Sequence, residues 1–118
     1  MPYYLVTFTL NQKYFDAAPD VRDALTAQEI AYGMELFKVG IWKHAYTTPG
    51  KIKTVSWAVY KTANEAELNG YLAGYPMHKV SWYTSVTHEV EIVDPPWYAV
   101  LLFKVLRLFG FFRPKKPA

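Results

Sequence analysis

Apolar and polar residues follow two different periods along the chain, and these periods predict the first elements of secondary structure. Residues 3–10 (YYLVTFTL) are β-branched and aromatic, which predicts a strand. Residues 20–38 repeat apolar positions at the helical spacing, which predicts a helix with Asp20 as its N-cap. Gly40 follows at the position where a glycine typically ends a helix.

The middle of the chain predicts a β-hairpin. Residues 41–48 and 53–61 are both rich in aromatic and β-branched side chains, which predicts two strands. Pro49 and Gly50 lie between them and have the turn chemistry that a hairpin needs. The two strands are therefore expected to be neighbours in one sheet.

A second helix and a long last strand complete the predicted fold. Asn64 followed by Glu67 is typical of a capping box, and the helix that it begins ends near Gly74. Residues 81–93 predict the last strand. The order β-α-β-β-α-β is that of the ferredoxin-like α+β fold, with a four-stranded antiparallel sheet.

In this fold two helices cover one face of the sheet, and the other face needs a different cover. Trp42, His44 and Tyr46 alternate along their strand and are predicted to share one side, and Trp57 lies on the apolar side of the next strand. A sheet face with this many aromatic side chains is rarely exposed to water. We therefore expect a homodimer or a larger homo-oligomer. The third strand has no glycine for the signature of an RNA-recognition domain, so we expect no nucleic-acid partner.

The amino-acid composition limits which nucleophiles and metal sites the chain can contain. Of the 118 residues, 52% are hydrophobic and 19% are charged, which is enough apolar material for one domain with a core. The chain has no cysteine, which excludes thiol nucleophiles, disulfides and cysteine metal sites within it. Its three histidines are never closely paired, so we predict no metal site. No signal peptide is visible, which favours a cytoplasmic protein.

Charge is divided unevenly along the chain. Residues 1–96 carry eight bases and ten acids, and the residues from Trp97 onward carry five bases and no acid. We therefore expect a domain over 1–94 and a hydrophobic, basic helix or tail over 95–118. The apolar run 97–112 has 16 residues, fewer than the roughly 20 that span a bilayer. The stretch 97–116 would instead lie peripherally on an anionic membrane surface, or pack on a neighbouring subunit or over a cavity mouth. Both alternatives remain open.

Glu29 is the most informative residue of the first helix. On a helical projection it lies on the apolar side, with Leu25 before it and Tyr32 and Leu36 after it. A carboxylate loses solvation there, which raises its pKa toward neutrality and suits a general base for carbon acids. Alternatively, Glu29 lies at the edge of the apolar arc and reaches water. Periodicity alone leaves both interpretations open.

Several short motifs together resemble a known family. They are Glu29 in the first helix, the segment GIWKH at 40–44 that opens a strand, the turn at Pro49-Gly50, and YPM at 75–77 before the last strand. This combination resembles muconolactone isomerase. The spacing from the helix glutamate to the Gly-x-Trp-basic-His segment is the most specific part of the resemblance.

The resemblance covers about residues 3–92 and implies a small dimeric α+β barrel enzyme without metal or organic cofactor. It implies that Glu29 moves a proton between carbons of an unsaturated lactone. The family has an arginine shortly before the hairpin turn, suited to a substrate carboxylate, whereas this chain reads AYTT at 45–48. The family's aromatic residue after the turn glycine is Ile52 here. A more lipophilic, aromatic or polyketide-like substrate is therefore expected.

Further residues are predicted to complete the site. His44 either assists as an acid or hydrogen-bond donor, or is an ordinary core or interface histidine. His78 is a candidate second acid or base at the cavity mouth, and Lys43 is suited to one substrate carboxylate. The aromatic residues predicted to bind substrate are Trp42, Tyr46, Tyr32 and Trp57. Among ten tyrosines, the sequence does not choose between Tyr32, Tyr46 and Tyr83 as donor to an enolate oxygen.

The chain as a whole predicts a cofactor-independent isomerase that moves a proton on an unsaturated lactone or related lipophilic carbonyl compound. Two other functions are compatible with the same residues. One is a cofactor-free monooxygenase of phenolic or polyketide substrates, which would add an oxygen atom to its product. The other is a non-catalytic protein that binds a lipophilic ligand or a membrane surface through its tail.

Overall fold

The computed structural model describes residues 1–50, 54–93, 97–108 and 110. The predicted β-α-β-β-α-β order is confirmed, and two short helices, α1 and α4, are added to it. The elements are β1 Tyr3–Leu10, α1 Gln12–Asp16, α2 Pro19–Lys38, β2 Trp42–Thr47, β3 Val55–Lys61, α3 Glu65–Ala73, α4 Pro76–Lys79, β4 Tyr83–Val90 and α5 Trp97–Leu108.

The four strands form one antiparallel sheet in the order β2-β3-β1-β4. Its main core lies between one face of the sheet and the helices α2 and α3, because alternate strand residues point to this face and the helix residues buried against it, Leu36, Leu68 and Leu72, are apolar. The buried residues of this core are Tyr4, Val6, Leu36, Ala58, Tyr60, Leu68, Leu72 and Tyr75. A smaller cluster of Met77, Trp82 and Tyr83 continues the core beneath α4.

The ends of α2 are formed differently from each other. The prediction of Asp20 as N-cap is wrong: Ala18 is the N-cap, and Pro19 opens the helix with its fixed backbone angle, so Asp20 lies in the first turn. No side chain caps this end. At the other end Gly40 has φ +80°, and the Ile41 N–H donates back to the Leu36 carbonyl, so the predicted glycine stop is confirmed.

The second predicted cap also forms, but the last strand is shorter than predicted. The Asn64 side chain accepts a hydrogen bond from the Glu67 N–H at 2.8 Å, and α3 ends before Gly74. β4 begins only at Tyr83, because the short helix α4 and a left-handed turn at Ser81, with φ +57°, occupy the preceding residues. The hairpin of β2 and β3 is confirmed.

A β-bulge in β2 changes which side chains face the helices. Trp42 pairs with Tyr60, but His44 already pairs with Val59, so two steps on β2 match one on β3. Trp42 therefore shares the helix-covered face with Tyr60, whereas His44 and Tyr46 lie on the opposite face. The prediction that Trp42, His44 and Tyr46 share one side is wrong, because one extra residue inverts the alternation.

The C-terminal part of the chain contains α5, which covers residues 97–108 of the helix or tail predicted over 95–118. The predicted domain boundary falls at residues 94–96, and the basic residues Arg113, Lys115 and Lys116 follow α5; both lie outside the described residues. α5 has 12 residues, or about 18 Å at the helical rise. Within the described ranges, no helix is long and apolar enough to cross a membrane.

Candidate active site

A cavity of about 490 Å³ lies between α2 and the helix-covered face of the sheet. Its floor is formed by strand residues such as Phe8, Ala58 and Tyr60, and Glu29, Ile30 and Met34 of α2 form one wall. Among the described residues that line it, Glu29 is the only one with a formal charge. The cavity is therefore suited to a largely apolar, aromatic ligand that presents one reactive group to a carboxylate.

Glu29 is held in this wall by a backbone hydrogen bond from a distant part of the chain. The Met77 N–H donates to Glu29 Oε1 at 3.0 Å, across 48 residues of sequence. Pro76 begins α4, so the amide that follows it lies in the first turn and has no partner within the helix. Among the described residues, no donor reaches the second oxygen, Oε2, which leaves that oxygen for a ligand.

Burial raises the pKa of Glu29 to about 7, and the hydrogen bond from Met77 opposes this shift only in part. The cause is loss of hydration: the side chain is half-buried among apolar and phenolic groups, which stabilise a carboxylate less than water does. The helical projection allowed this direction as one of two interpretations, the other being a carboxylate that reaches water. A carboxyl group with a pKa near 7 can both take and return a proton at neutral pH.

Four tyrosines lie near enough to Glu29 for its charge to raise their pKa, namely Tyr32, Tyr60, Tyr75 and Tyr83. Their hydroxyls differ in their hydrogen-bond partners. The hydroxyls of Tyr60 and Tyr75 lie 2.8 Å apart and bind each other. The Tyr32 hydroxyl donates to the Tyr71 carbonyl at 2.6 Å. The Tyr83 hydroxyl is buried and has no hydrogen-bond partner in the described part of the chain.

The tyrosines remain protonated at neutral pH. Burial raises the pKa of Tyr75 to about 12, although its hydrogen bond with Tyr60 opposes the shift. Burial also raises the pKa of Tyr83, and the nearby Glu29 carboxylate raises it further. These phenols are therefore neutral hydrogen-bond donors next to a carboxylate that titrates near neutrality.

Two of the aromatic residues predicted to bind substrate border the cavity. Trp42 packs toward α2, with its ring 5.8 Å from Phe37, and it lines the cavity. Trp57 also borders the cavity, from β3, but its pairing with Tyr46 and Thr7 puts its side chain on the opposite face of the sheet. Of the two predicted tryptophans, Trp42 is therefore the one whose side chain lies on the cavity side of the sheet.

The structure does not bring three of the predicted β2 residues into the cavity. His44 and Tyr46 lie beyond the bulge on the opposite face, both exposed, and Tyr46 is 61% exposed. Lys43 lies at the bulge, with its Nζ near Gly40 rather than beside Glu29. Within one chain, neither His44 nor Lys43 contacts Glu29, so the carboxylate has no cationic neighbour from β2.

The other two predicted residues, Tyr32 and His78, lie next to the cavity. Tyr32 contacts Tyr75, with ring centroids 4.7 Å apart, but its hydroxyl already donates to Tyr71. His78 is exposed on α4, and its ring lies 6.1 Å from that of Tyr83. The predicted position of His78 at the mouth is compatible with this placement.

Sequence reasoning missed the Met77 amide and the paired hydroxyls of Tyr60 and Tyr75. Pro76 was the available signal for the amide, since proline is common in the first position of a helix. The tyrosines gave no signal, because ten of them occur in the chain and only the register of the sheet brings particular ones together. Within the described ranges, no group of three or more His, Asp or Glu side chains could hold a metal ion.

A ferredoxin-like α+β domain with one half-buried carboxylate in an aromatic cavity is the class that these observations define. Within this class, the chain belongs to the muconolactone delta-isomerase family, whose model matches residues 3–91. The predicted family is thus confirmed over about three quarters of the chain. Muconolactone delta-isomerase 1 of Acinetobacter lwoffii is 32% identical over 62 residues, which is 52% of this chain and 62% of that protein. The match spans less than two thirds of that relative.

Two solved structures confirm the fold. A crystal structure of muconolactone isomerase has a TM-score of 0.62 at 18% identity and covers 80% of this chain and 92% of its own. The 5-chloro-2-hydroxyhydroquinone dehydrochlorinase of Burkholderia phenoliruptrix AC1100, in complex with 2,5-dihydroxybenzoquinone, has a TM-score of 0.61 at 14% identity. It covers 77% of this chain and 95% of its own.

Proposed function

We propose that this protein is a cofactor-independent isomerase that moves a proton on an unsaturated lactone or a related lipophilic carbonyl compound, with Glu29 as general base. One observation carries the proposal. Glu29 is the sole charged group among the described cavity-lining residues, and its pKa of about 7 lets it take and return a proton at neutral pH. Family membership supports the same reaction class.

In the proposed reaction, one proton moves from one carbon atom of the substrate to another. Glu29 Oε2 removes a proton α or γ to the carbonyl; the C–H bond breaks, an O–H bond forms on Glu29, and the electron pair moves toward the carbonyl oxygen as an enolate. The protonated Glu29 then returns the proton to another carbon, and the double bond shifts. The Met77 amide holds Oε1 in place during both steps.

The charge of the cavity supports a neutral substrate. An anionic group close to Glu29 would meet a second negative charge in a poorly hydrated space, which is unfavourable. The described lining residues offer no lysine, arginine or histidine to offset it. A neutral lactone, enone or phenolic ketone avoids this repulsion and packs against Trp42 and the phenol rings.

The test is mass spectrometry in D₂O with a panel of neutral unsaturated lactones and phenolic ketones. We expect the wild type to incorporate deuterium or to shift a double bond, and Glu29→Gln to lose this activity by about 100-fold or more. Glu35→Gln is the matched control, because Glu35 lies on the same helix, is exposed and pairs with Lys38. Turnover that survives in Glu29→Gln would contradict the proposal. A gain of one oxygen atom would identify a monooxygenase instead.

We also propose that α5 contacts an anionic membrane surface peripherally. Leu101, Leu102, Val105 and Leu108 are exposed on one side of α5, and Lys104 and Arg107 lie beside them. An apolar stripe flanked by basic residues suits the interface of an anionic bilayer. Flotation with phosphatidylserine vesicles tests this: binding should fall for Leu101→Glu but not for the exposed Val21→Glu on α2. Equal flotation of both variants would contradict it.

A further inference from the structure

Hydrogen bonding separates Tyr83 from the other tyrosines around Glu29. Tyr60 and Tyr75 bind each other, and Tyr32 binds a main-chain carbonyl. Tyr83 is 8% exposed, and its hydroxyl has no partner among the described residues although a buried hydroxyl normally has one. An unpartnered buried donor costs free energy, so its persistence beside the cavity points to an acceptor that a ligand brings.

The position of Tyr83 suits contact with the same ligand that Glu29 would contact. Both side chains line one cavity, Glu29 from α2 and Tyr83 from the first residue of β4. The Tyr83 ring is fixed by an edge-to-face contact with Phe8, whose centroid lies 5.0 Å away. A hydrogen-bond donor on a strand, in the same cavity as a base on a helix, suits the stabilisation of charge that develops on a ligand oxygen.

We propose that the Tyr83 hydroxyl donates a hydrogen bond to the carbonyl oxygen of the substrate and holds the negative charge of the enolate. This inference rests on the proposed function, because the enolate forms when Glu29 removes the proton. Tyr83 keeps its own proton throughout: charge moves to the substrate oxygen, the hydrogen bond strengthens, and the proton on Glu29 returns to carbon. The substrate class is therefore a neutral carbonyl compound that presents its carbonyl oxygen to Tyr83 and its acidic C–H bond to Glu29.

The proposal can be tested by binding alone, in the full-length Glu29→Gln variant. Its neutral amide imitates the protonated base that is present when the enolate exists. The probes are 4-nitrophenolate, which presents an oxyanion on a flat ring, and nitrobenzene, which does not. We expect Glu29→Gln to prefer the phenolate, and Glu29→Gln with Tyr83→Phe to bind it about 10- to 100-fold more weakly with nitrobenzene binding unchanged.

Tyr71→Phe in the same background is the matched control, because Tyr71 packs against the core outside the cavity lining. It should leave both affinities unchanged. Three results would overturn the proposal: no preference for phenolate in Glu29→Gln, unchanged phenolate binding in Tyr83→Phe, or equal loss of both probes, which would mean a purely structural role.

Turnover provides a second readout that separates this inference from the proposed function. With a substrate identified in the D₂O assay, Tyr83→Phe should lower kcat by about 10- to 100-fold with little change in KM, because the hydrogen bond strengthens only as the enolate forms. If Glu29→Gln retained turnover, the proposed function would fail while the phenolate measurement would still stand. If Tyr83→Phe retained full kcat, the proposed role of Tyr83 would be contradicted, whereas the proposed function of Glu29 would not.

Discussion

Desolvation and one hydrogen bond together set the pKa and the orientation of the Glu29 carboxylate. Its position on the apolar side of α2 removes water and raises its pKa, and the Met77 amide partly offsets that shift with a hydrogen bond. Desolvation is the larger effect, so the pKa settles at about 7 rather than near the ordinary value of 4.5. The same amide fixes the direction of the carboxylate, which desolvation by itself would not do.

This pKa predicts the pH dependence of turnover. Glu29 acts as a base only when it is deprotonated, so kcat/KM should fall about tenfold for each pH unit below 7 and level off above it. A pH–rate profile, together with NMR titration of the Glu29 carboxyl, measures both quantities. A midpoint near 4.5 would contradict the desolvated environment described here.

The same shift predicts how stability depends on pH. The folded pKa lies above the unfolded value, so Glu29 is neutral in the folded state between pH 4.5 and 7 while it is charged in the unfolded state. The folded state then binds more protons, and stability falls as pH rises across this window. Glu29→Gln should raise the free energy of unfolding by about 1–2 kcal/mol at pH 8, discounted for partial exposure, and change it little at pH 4.

Urea unfolding of the wild type and Glu29→Gln at the two pH values checks this prediction. Glu35→Gln is again the control, since its carboxylate is exposed and its ion pair with Lys38 contributes little. Equal stability of the wild type and Glu29→Gln at pH 8 would mean that the carboxylate is better hydrated than the structure indicates.

At the scale of elements, the packing of α2 against the end of α3 depends on one glycine. A Cβ on Gly74 would overlap the Tyr32 phenol, whose hydroxyl is held by the Tyr71 carbonyl and whose ring contacts Tyr75. Tyr32 therefore has little room to move. The sequence predicted Tyr32 as a substrate-binding residue, whereas in the structure its hydroxyl donates to the Tyr71 carbonyl and connects α2 to α3.

Gly74→Ala should therefore destabilise the fold by about 1–3 kcal/mol, because the added methyl group displaces a tightly packed ring. Gly70→Ala is a matched control in α3: nothing lies within 4 Å of its Cβ position, and alanine favours the helix by up to about 1 kcal/mol. Thermal unfolding of both variants measures the difference. Equal melting temperatures would show that the Tyr32 ring can move aside without loss of stability.

At the scale of the whole molecule, the sheet face opposite the helices carries an apolar surface. Leu5, Trp57 and Val59 lie at its centre by register, and Val86 and Tyr46 at its periphery are more than half exposed. A surface of this kind typically packs against a partner, so a homodimer formed through this face remains our prediction. The placement of His44 on this face makes it an interface residue in such a dimer.

Val86→Lys should shift the protein from dimer to monomer, because a charge buried without a partner in an apolar interface is unfavourable. Size-exclusion chromatography with light scattering measures the mass directly. Val21→Lys is the control, since Val21 is similarly exposed but belongs to α2. A monomeric wild type, or a Val86→Lys variant that remains dimeric, would contradict this interface.

The sequence by itself determined the local features of this protein. The order of the strands and helices, the glycine stop after α2 and the Asn64 cap each depend on residues close together in the chain. The same holds for the apolar side of α2 on which Glu29 lies, because helical periodicity is a local property. A raised pKa of Glu29 was therefore one of two interpretations that the local pattern allowed, and the packing around the helix decided between them.

Only the tertiary structure decided which residues share the cavity with Glu29. One extra residue in β2 places His44 on the opposite face of the sheet. The local sequence could not predict this bulge, because a bulge is defined by pairing with another strand. The Met77 amide reaches Glu29 across 48 residues, and the partners of each tyrosine hydroxyl follow from the packing of helices on the sheet. Contacts between distant segments depend on register and packing, which the spacing of residues in one segment does not encode.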